Sequence, residues 1–164
     1  MAQQSKRASS KPSSRKKARV PKPHIPPPVT CHYCGGKVEI VNNSQIYGKE
    51  YGDWPWAYRC VGCEAYVGMH PKTYIPLGTL ADAETRNARK LGKKPFETVW
   101  QSKHMTRSEA YRQLAAHMGI SASECHFGLF SVEQCRHAWK WATGILREMD
   151  AKRGAETGSG KTEK

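Results

Sequence analysis

Two pairs of cysteines are the residues best suited to chemistry in this sequence. Cys31-His-Tyr-Cys34 and Cys60-Val-Gly-Cys63 are CxxC knuckles with 25 residues between them. A CxxC turn aims two thiolates inward from one tight backbone loop, and two such loops complete a tetrahedral shell of four sulfurs. The spacing leaves room for a hairpin that returns the second knuckle to the first. The expectation is one structural Zn²⁺ held by Cys31, Cys34, Cys60 and Cys63. Four thiolates leave no coordination position for a catalytic water. His32, between two ligands, is expected to be exposed and not to bind the metal.

Two further cysteines remain. Cys125 and Cys135, with the adjacent His126, form a candidate secondary site, either for a metal or for a Cys/His nucleophile pair. Their spacing matches no familiar zinc pattern. Cys135 also falls on the apolar stripe of a helix, which favours a buried thiol. The sequence contains no GxGxxG, Walker A, HExxH or GxSxG pattern, and its acidic residues are scattered.

Charge points outward to a partner. The formal net charge is +13, a balance that suits a polyanion, with DNA favoured over RNA. Residues 1–28 hold eight Lys/Arg, no acid and six of the ten prolines. With so few apolar groups, this stretch reads as a disordered basic arm. Arg15, Lys16, Lys17 and Arg19 are its densest cluster, fit to lie along phosphates. Arg86, Arg89, Lys90 and Lys93 recur at helical spacing and Lys94 extends them, so one helix face is expected to be basic. Lys37, Lys49 and Arg59 lie close to Tyr47, Tyr51, Trp54, Trp56, Tyr58 and Tyr66. Aromatic rings beside cations suit base stacking and phosphate contact. Alternation puts Trp54, Trp56 and Tyr58 on one face, where packing is the expected role, whereas Tyr47 and Tyr51 flank glycines and are expected to be exposed.

These groups must be positioned by an α+β fold. Residues 29–78 read as the four-cysteine zinc ribbon. Short alternating runs at Val38 and Ile40 and at 54–58, separated by Asn42-Asn43-Ser44, indicate antiparallel strands. Residues 79–150 read as a three-helix region packed on the ribbon. The first helix covers 80–92 and stops at Gly92. The second opens with the capping box Thr106-Arg-Ser-Glu109 and ends at Gly119. The third opens with Ser131-Val-Glu-Gln134 and carries a stripe of Cys135, Ala138, Trp139, Ala142, Ile145, Leu146 and Met149. Trp141 is off that stripe and is expected to pack between the regions. Residues 151–164 read as a disordered tail.

The motifs in this order resemble the zinc-finger-containing domain of unknown function found in many tailed bacteriophages and prophages. They are CHYCGG at 31–36, IYG and YG within 46–52, CVGCEAYVGMHP at 60–71, PLGTLADAETRNARKLGKKPF at 76–96, TRSEAYRQLAAHMGI at 106–120 and CHFGLFSVEQC at 125–135. The resemblance covers about residues 29–138. It implies a phage or prophage origin and a zinc-ribbon start, and brings no activity with it. Many members carry an Ala-His pair before a Phe-Asp motif and Trp. Here the stretch reads Lys93-Lys94-Pro95-Phe96-Glu97-Thr98-Val99-Trp100, without that His.

The leading functional reading is a non-enzymatic nucleic-acid-binding protein using the basic arm and the basic helix face. The alternative is a protein-interaction module that binds a host enzyme or defence component. A nucleic-acid-processing enzyme ranks third. No apolar run reaches the roughly 18–20 residues that span a bilayer, so no membrane partner is expected. The expected location is the cytoplasm, of the host cell if the origin is phage, or the nucleus in a eukaryotic source. The oligomeric state is open.

Overall fold

The computed structural model describes residues 24–158. The basic cluster at Arg15, Lys16, Lys17 and Arg19 lies outside the described residues, as do residues 159–164. Strands β1 (Val38–Asn42), β2 (Trp56–Cys60) and β3 (Tyr66–Gly68) form an antiparallel sheet in that order. A single-turn helix, α1 (Ser44–Tyr47), sits in the β1–β2 connection. Helices α2 (Ala83–Gln101), α3 (Arg107–Met118) and α4 (Val132–Gly158) follow. No described helix is long and apolar enough to cross a membrane.

Strand alternation gives the sheet two different faces. Val38 and Ile40 lie opposite Cys60 and Tyr58, and Tyr58 lies opposite Val67. Val38, Tyr58, Cys60 and Val67 pack into a core with Cys31, Ala65, Met69 and Leu80. Tyr58 Oη donates to the Tyr74 carbonyl at 2.7 Å, and Trp54 Nε1 donates to the Thr73 carbonyl at 3.0 Å. Trp54 and Tyr58 therefore pack, as expected. Trp56 does not. At the open end of β2, opposite Asn42, it keeps 40% of its surface exposed. The other sheet face carries Glu39 and Tyr66, both in register with Arg59.

The helices build a second core from Phe96, Val99, Leu114, Phe127, Phe130, Cys135 and small alanines. Thr106 and Ser131 both cap their helices, and the Ser131 box is reciprocal. Thr106 Oγ1 accepts from the Glu109 amide at 3.2 Å, and the Ser131 hydroxyl and Gln134 side chain exchange bonds with each other's amides. The helix boundaries differ from the sequence reading in two places. α2 starts after its cap Asp82 and runs through Gly92 and Pro95 to Gln101. Gly92 is not a stop. A Cβ there would lie 2.8 Å from the Cys135 carbonyl oxygen, so glycine lets α2 and α4 approach. α4 continues to Gly158, past the expected end at 150.

Trp141 packs into the helical core near Phe96, with ring centroids 6.3 Å apart, and not against the ribbon. Trp139, placed on the buried stripe by the sequence pattern, is 46% exposed. What joins ribbon to helices is mostly backbone and arginine. The Thr79 amide donates to the Gly128 carbonyl at 2.9 Å, and a Cβ on Gly78 would strike that same carbonyl oxygen.

Candidate metal centre and basic surface

The two knuckles have the same backbone design, 29 positions apart. The Cys31 amide donates to the Gly36 carbonyl at 2.8 Å, and the Cys60 amide donates to the Ala65 carbonyl at 2.8 Å. In return, the Gly35 amide donates to the Cys31 carbonyl and the Glu64 amide to the Cys60 carbonyl. The residue after each second cysteine is left-handed, Gly35 at φ 70° and Glu64 at φ 61°. These turns bring all four Sγ atoms within 4.8 Å of one another. Cys31 and Cys63 sulfurs are 3.5 Å apart, as are those of Cys34 and Cys60. A tetrahedral zinc with bonds near 2.3 Å separates its sulfurs by about 3.8 Å.

The surroundings also suit a thiolate cluster. The Gly36 amide donates to Cys34 Sγ at 3.4 Å and the Gly62 amide to Cys60 Sγ at 3.3 Å. Amides of Cys63 and Gly62 pull the Cys60 thiol down to about 6, while burial and the neighbouring sulfurs push the Cys63 thiol up to about 12, so of this pair Cys60 ionises first. Cys31 and Cys60 are buried, whereas Cys34 and Cys63 lie at the surface. The donor set fits one structural Zn²⁺, which would tie the start of the sheet to the β2–β3 turn. His32 is exposed and outside the ligand set.

The profile of a zinc-finger-containing domain family matches residues 27–144. The chain belongs to that family. No curated protein and no solved structure matches it.

In this zinc-finger-containing domain the predicted basic helix face divides by role. Arg89 is largely buried and its guanidinium is spent internally. Nε donates to the Phe130 carbonyl at 3.0 Å, while Nη1 and Nη2 reach the Thr79 carbonyl at 3.1 Å and its hydroxyl at 2.7 Å. Burial pushes the Arg89 guanidinium below its ordinary value, although three oxygens hold it. Arg86 donates to the Ala81 carbonyl at 2.6 Å and lies over the Tyr66 ring, 4.0 Å from its centroid. Lys93 pairs with Glu97 at 3.3 Å. Lys90, Lys93 and Lys94 are exposed. The helical spacing is therefore real, but Arg89 locks α2 to the ribbon and to the α3–α4 loop instead of facing solvent.

On the ribbon, Tyr47 and Tyr51 are 49% and 51% exposed, in line with the sequence expectation. Lys49 lies over the Tyr51 ring at 5.0 Å. Arg59 forms an ion pair with Glu64. Tyr66, among the aromatics the sequence sets beside basic groups, stacks under Arg86 and meets Tyr47 edge to face at 5.9 Å. Its cationic partner is Arg86 of α2, which sequence proximity did not disclose, while strand register places it beside Arg59.

The secondary candidates do not converge. Among the described residues, the four cysteines of the knuckles are the one group of three or more His, Cys, Asp or Glu side chains whose ligand atoms meet. Cys125 and Cys135 are buried in the helical core, and burial pushes both thiols up to about 11. Protonated thiols are poor nucleophiles and poor ligands. His126 Nδ1 accepts the Gly128 amide at 3.1 Å, which shapes the loop that meets Gly78.

Proposed function

We propose that this protein is a non-enzymatic nucleic-acid-binding protein of phage type, ordered by one structural zinc and binding DNA or RNA. The observation that carries the reading is the outward sheet face and its neighbours, where Tyr66, Tyr47 and Tyr51 lie between Arg86 and Lys49. Rings interleaved with cations match the stacking and phosphate contacts of nucleic-acid binders. Exposed Lys90 and Lys94 extend the positive surface along α2. The eight Lys/Arg of residues 1–28 would add affinity without reading sequence.

Binding to labelled DNA and RNA across a salt series tests this. Affinity should fall steeply with salt, since released counterions dominate phosphate contact. Removing residues 1–28 should weaken binding to every sequence and flatten that slope. Failure to bind either nucleic acid at low salt overturns the reading.

One observation favours a protein partner as the second reading. Leu91 and Trp139, 55% and 46% exposed, line a groove of about 540 Å³ between α2 and α4. If a host protein docks there, Trp139→Ala abolishes its binding and leaves nucleic-acid affinity unchanged.

A further inference from the structure

Tyr47 and Tyr51 are held outward by their own turn. Asn43 Nδ2 donates to the Tyr51 carbonyl at 2.9 Å, and Asn43 Oδ1 accepts the Tyr51 amide at 3.1 Å. Gly48 and Gly52, both at positive φ, bracket the segment. The turn brings the Tyr47 and Tyr51 rings edge to face with centroids 5.6 Å apart. Tyr47 also meets Tyr66 at 5.9 Å, and Tyr66 carries the Arg86 guanidinium. The line therefore runs from Lys49 through Tyr51, Tyr47 and Tyr66 to Arg86. Neither Tyr47 nor Tyr51 belongs to the ribbon core, and about half of each residue stays exposed. Glu50, adjacent to Tyr51 in sequence, accepts from the Asn42 side-chain amide. Exposed rings fixed by backbone bonds form a surface prepared for flat ligands.

We infer that the exposed pair Tyr47 and Tyr51, braced by Tyr66, binds unpaired nucleobases, so that the protein prefers single-stranded nucleic acid over duplex. The inference rests on the nucleic-acid reading above. Bases within a duplex already have both faces covered by their neighbours, and an external ring meets only sugar and phosphate. Bases of a single strand offer free faces, and stacking on an aromatic side chain tolerates any sequence. Lys49 and Arg86, at the two ends of the line, supply phosphate contacts there. No base edge is read, so both single-stranded DNA and single-stranded RNA are ligands.

The test uses the full, zinc-loaded chain and fluorescence anisotropy on four probes of one length. These are unstructured single-stranded DNA, the matching RNA, the duplex, and an abasic strand with the same phosphates. Both single strands should bind about tenfold or more tightly than the duplex and the abasic strand, since each stacked base contributes at that level. Tyr47→Ala/Tyr51→Ala should lose that preference while keeping its zinc and its duplex affinity. Tyr47→Phe/Tyr51→Phe should retain it, because stacking needs the ring and not the hydroxyl. If the abasic strand or the duplex binds as tightly as the single strands, the inference falls and the broader reading stands. If no probe binds at low salt, both fall.

Discussion

At Glu64 a charged side chain occupies a backbone position that the other knuckle gives to Gly35. Both are left-handed, a conformation that costs a non-glycine residue about 1–2 kcal/mol. Nothing lies within 4 Å of a Cβ built on Gly35, so Gly35→Ala pays only that backbone cost. Zinc-loaded thermal unfolding should show a loss of about 1 kcal/mol. Glu64→Gly relieves the same strain but gives up an exposed ion pair with Arg59, which contributes at most about 1 kcal/mol. It also frees the unfolded chain, so its net effect should stay within about 1 kcal/mol of zero. A larger loss would mean that the Arg59 pair holds the knuckle closed. Arg89 is the opposite case, since its partners are spread over the chain at Thr79 and Phe130. Arg89→Met leaves two carbonyls without their charged donor and should destabilise by about 3 kcal/mol in urea unfolding. Arg89→Lys should recover less than half, because one ammonium cannot reproduce the guanidinium fork. The contrast explains what the sequence discloses. Zinc ligands are legible because their spacing is local. The role of Arg89 is not, because an internal arginine and a solvent-facing one share the same helical spacing.

Between elements, the decisive contact is the crossing of α2 and α4 at Gly92. Sequence reading treats glycine after an apolar stripe as a helix end, and at Gly119 that is correct. At Gly92 the glycine serves close packing, which depends on a partner 43 residues away and has no local mark. Gly92→Ala separates the two effects. Alanine improves helix propensity by about 1 kcal/mol. Its methyl would meet the Cys135 carbonyl oxygen at 2.8 Å and Cys135 Cβ at 3.3 Å, and overpacking of this kind costs about 1–3 kcal/mol. The expected outcome is net destabilisation by urea, and a stabilised variant would show that the helices do not meet there. At the head of α2, Asp82 Oδ1 accepts the Thr85 amide at 2.8 Å, and that amide holds the carboxyl below its usual range. A depressed carboxyl contributes stability that is present above the unfolded value near pH 3.9 and is lost as pH falls through the lower folded value. Asp82→Asn keeps a capping side chain without the charge. Its stability deficit relative to wild type should therefore be visible at neutral pH and shrink below about pH 4. An unchanged deficit in acid would assign Asp82 a role other than a charged cap.

Taken whole, the molecule has two cores of unequal self-sufficiency. Cys31 and Cys60 are themselves part of the ribbon core, so the groups that bind metal are also the groups that pack. So small a core relies on its metal for folding free energy. The helical core has three phenylalanines, Leu114 and Val99, and contains no zinc ligand. The two are joined by few bonds, among them Arg89 to Thr79, Tyr33 to Thr85 at 3.0 Å, and Thr79 to Gly128. Chelation should therefore unfold the ribbon while most of the helix survives. Tryptophan emission should change as Trp54 loses its bond to Thr73, while far-UV ellipticity keeps most of its helical signal. Restoring zinc should reverse both. Loss of helical signal in the same transition would show that the two cores fold as one unit. The same experiment bears on function, because the tyrosine line is built on the ribbon and the arm is not. With zinc removed, preference for single strands should vanish, while salt-sensitive binding through residues 1–28 persists for every probe. Retention of the preference in the chelated protein would separate base recognition from the metal-ordered sheet.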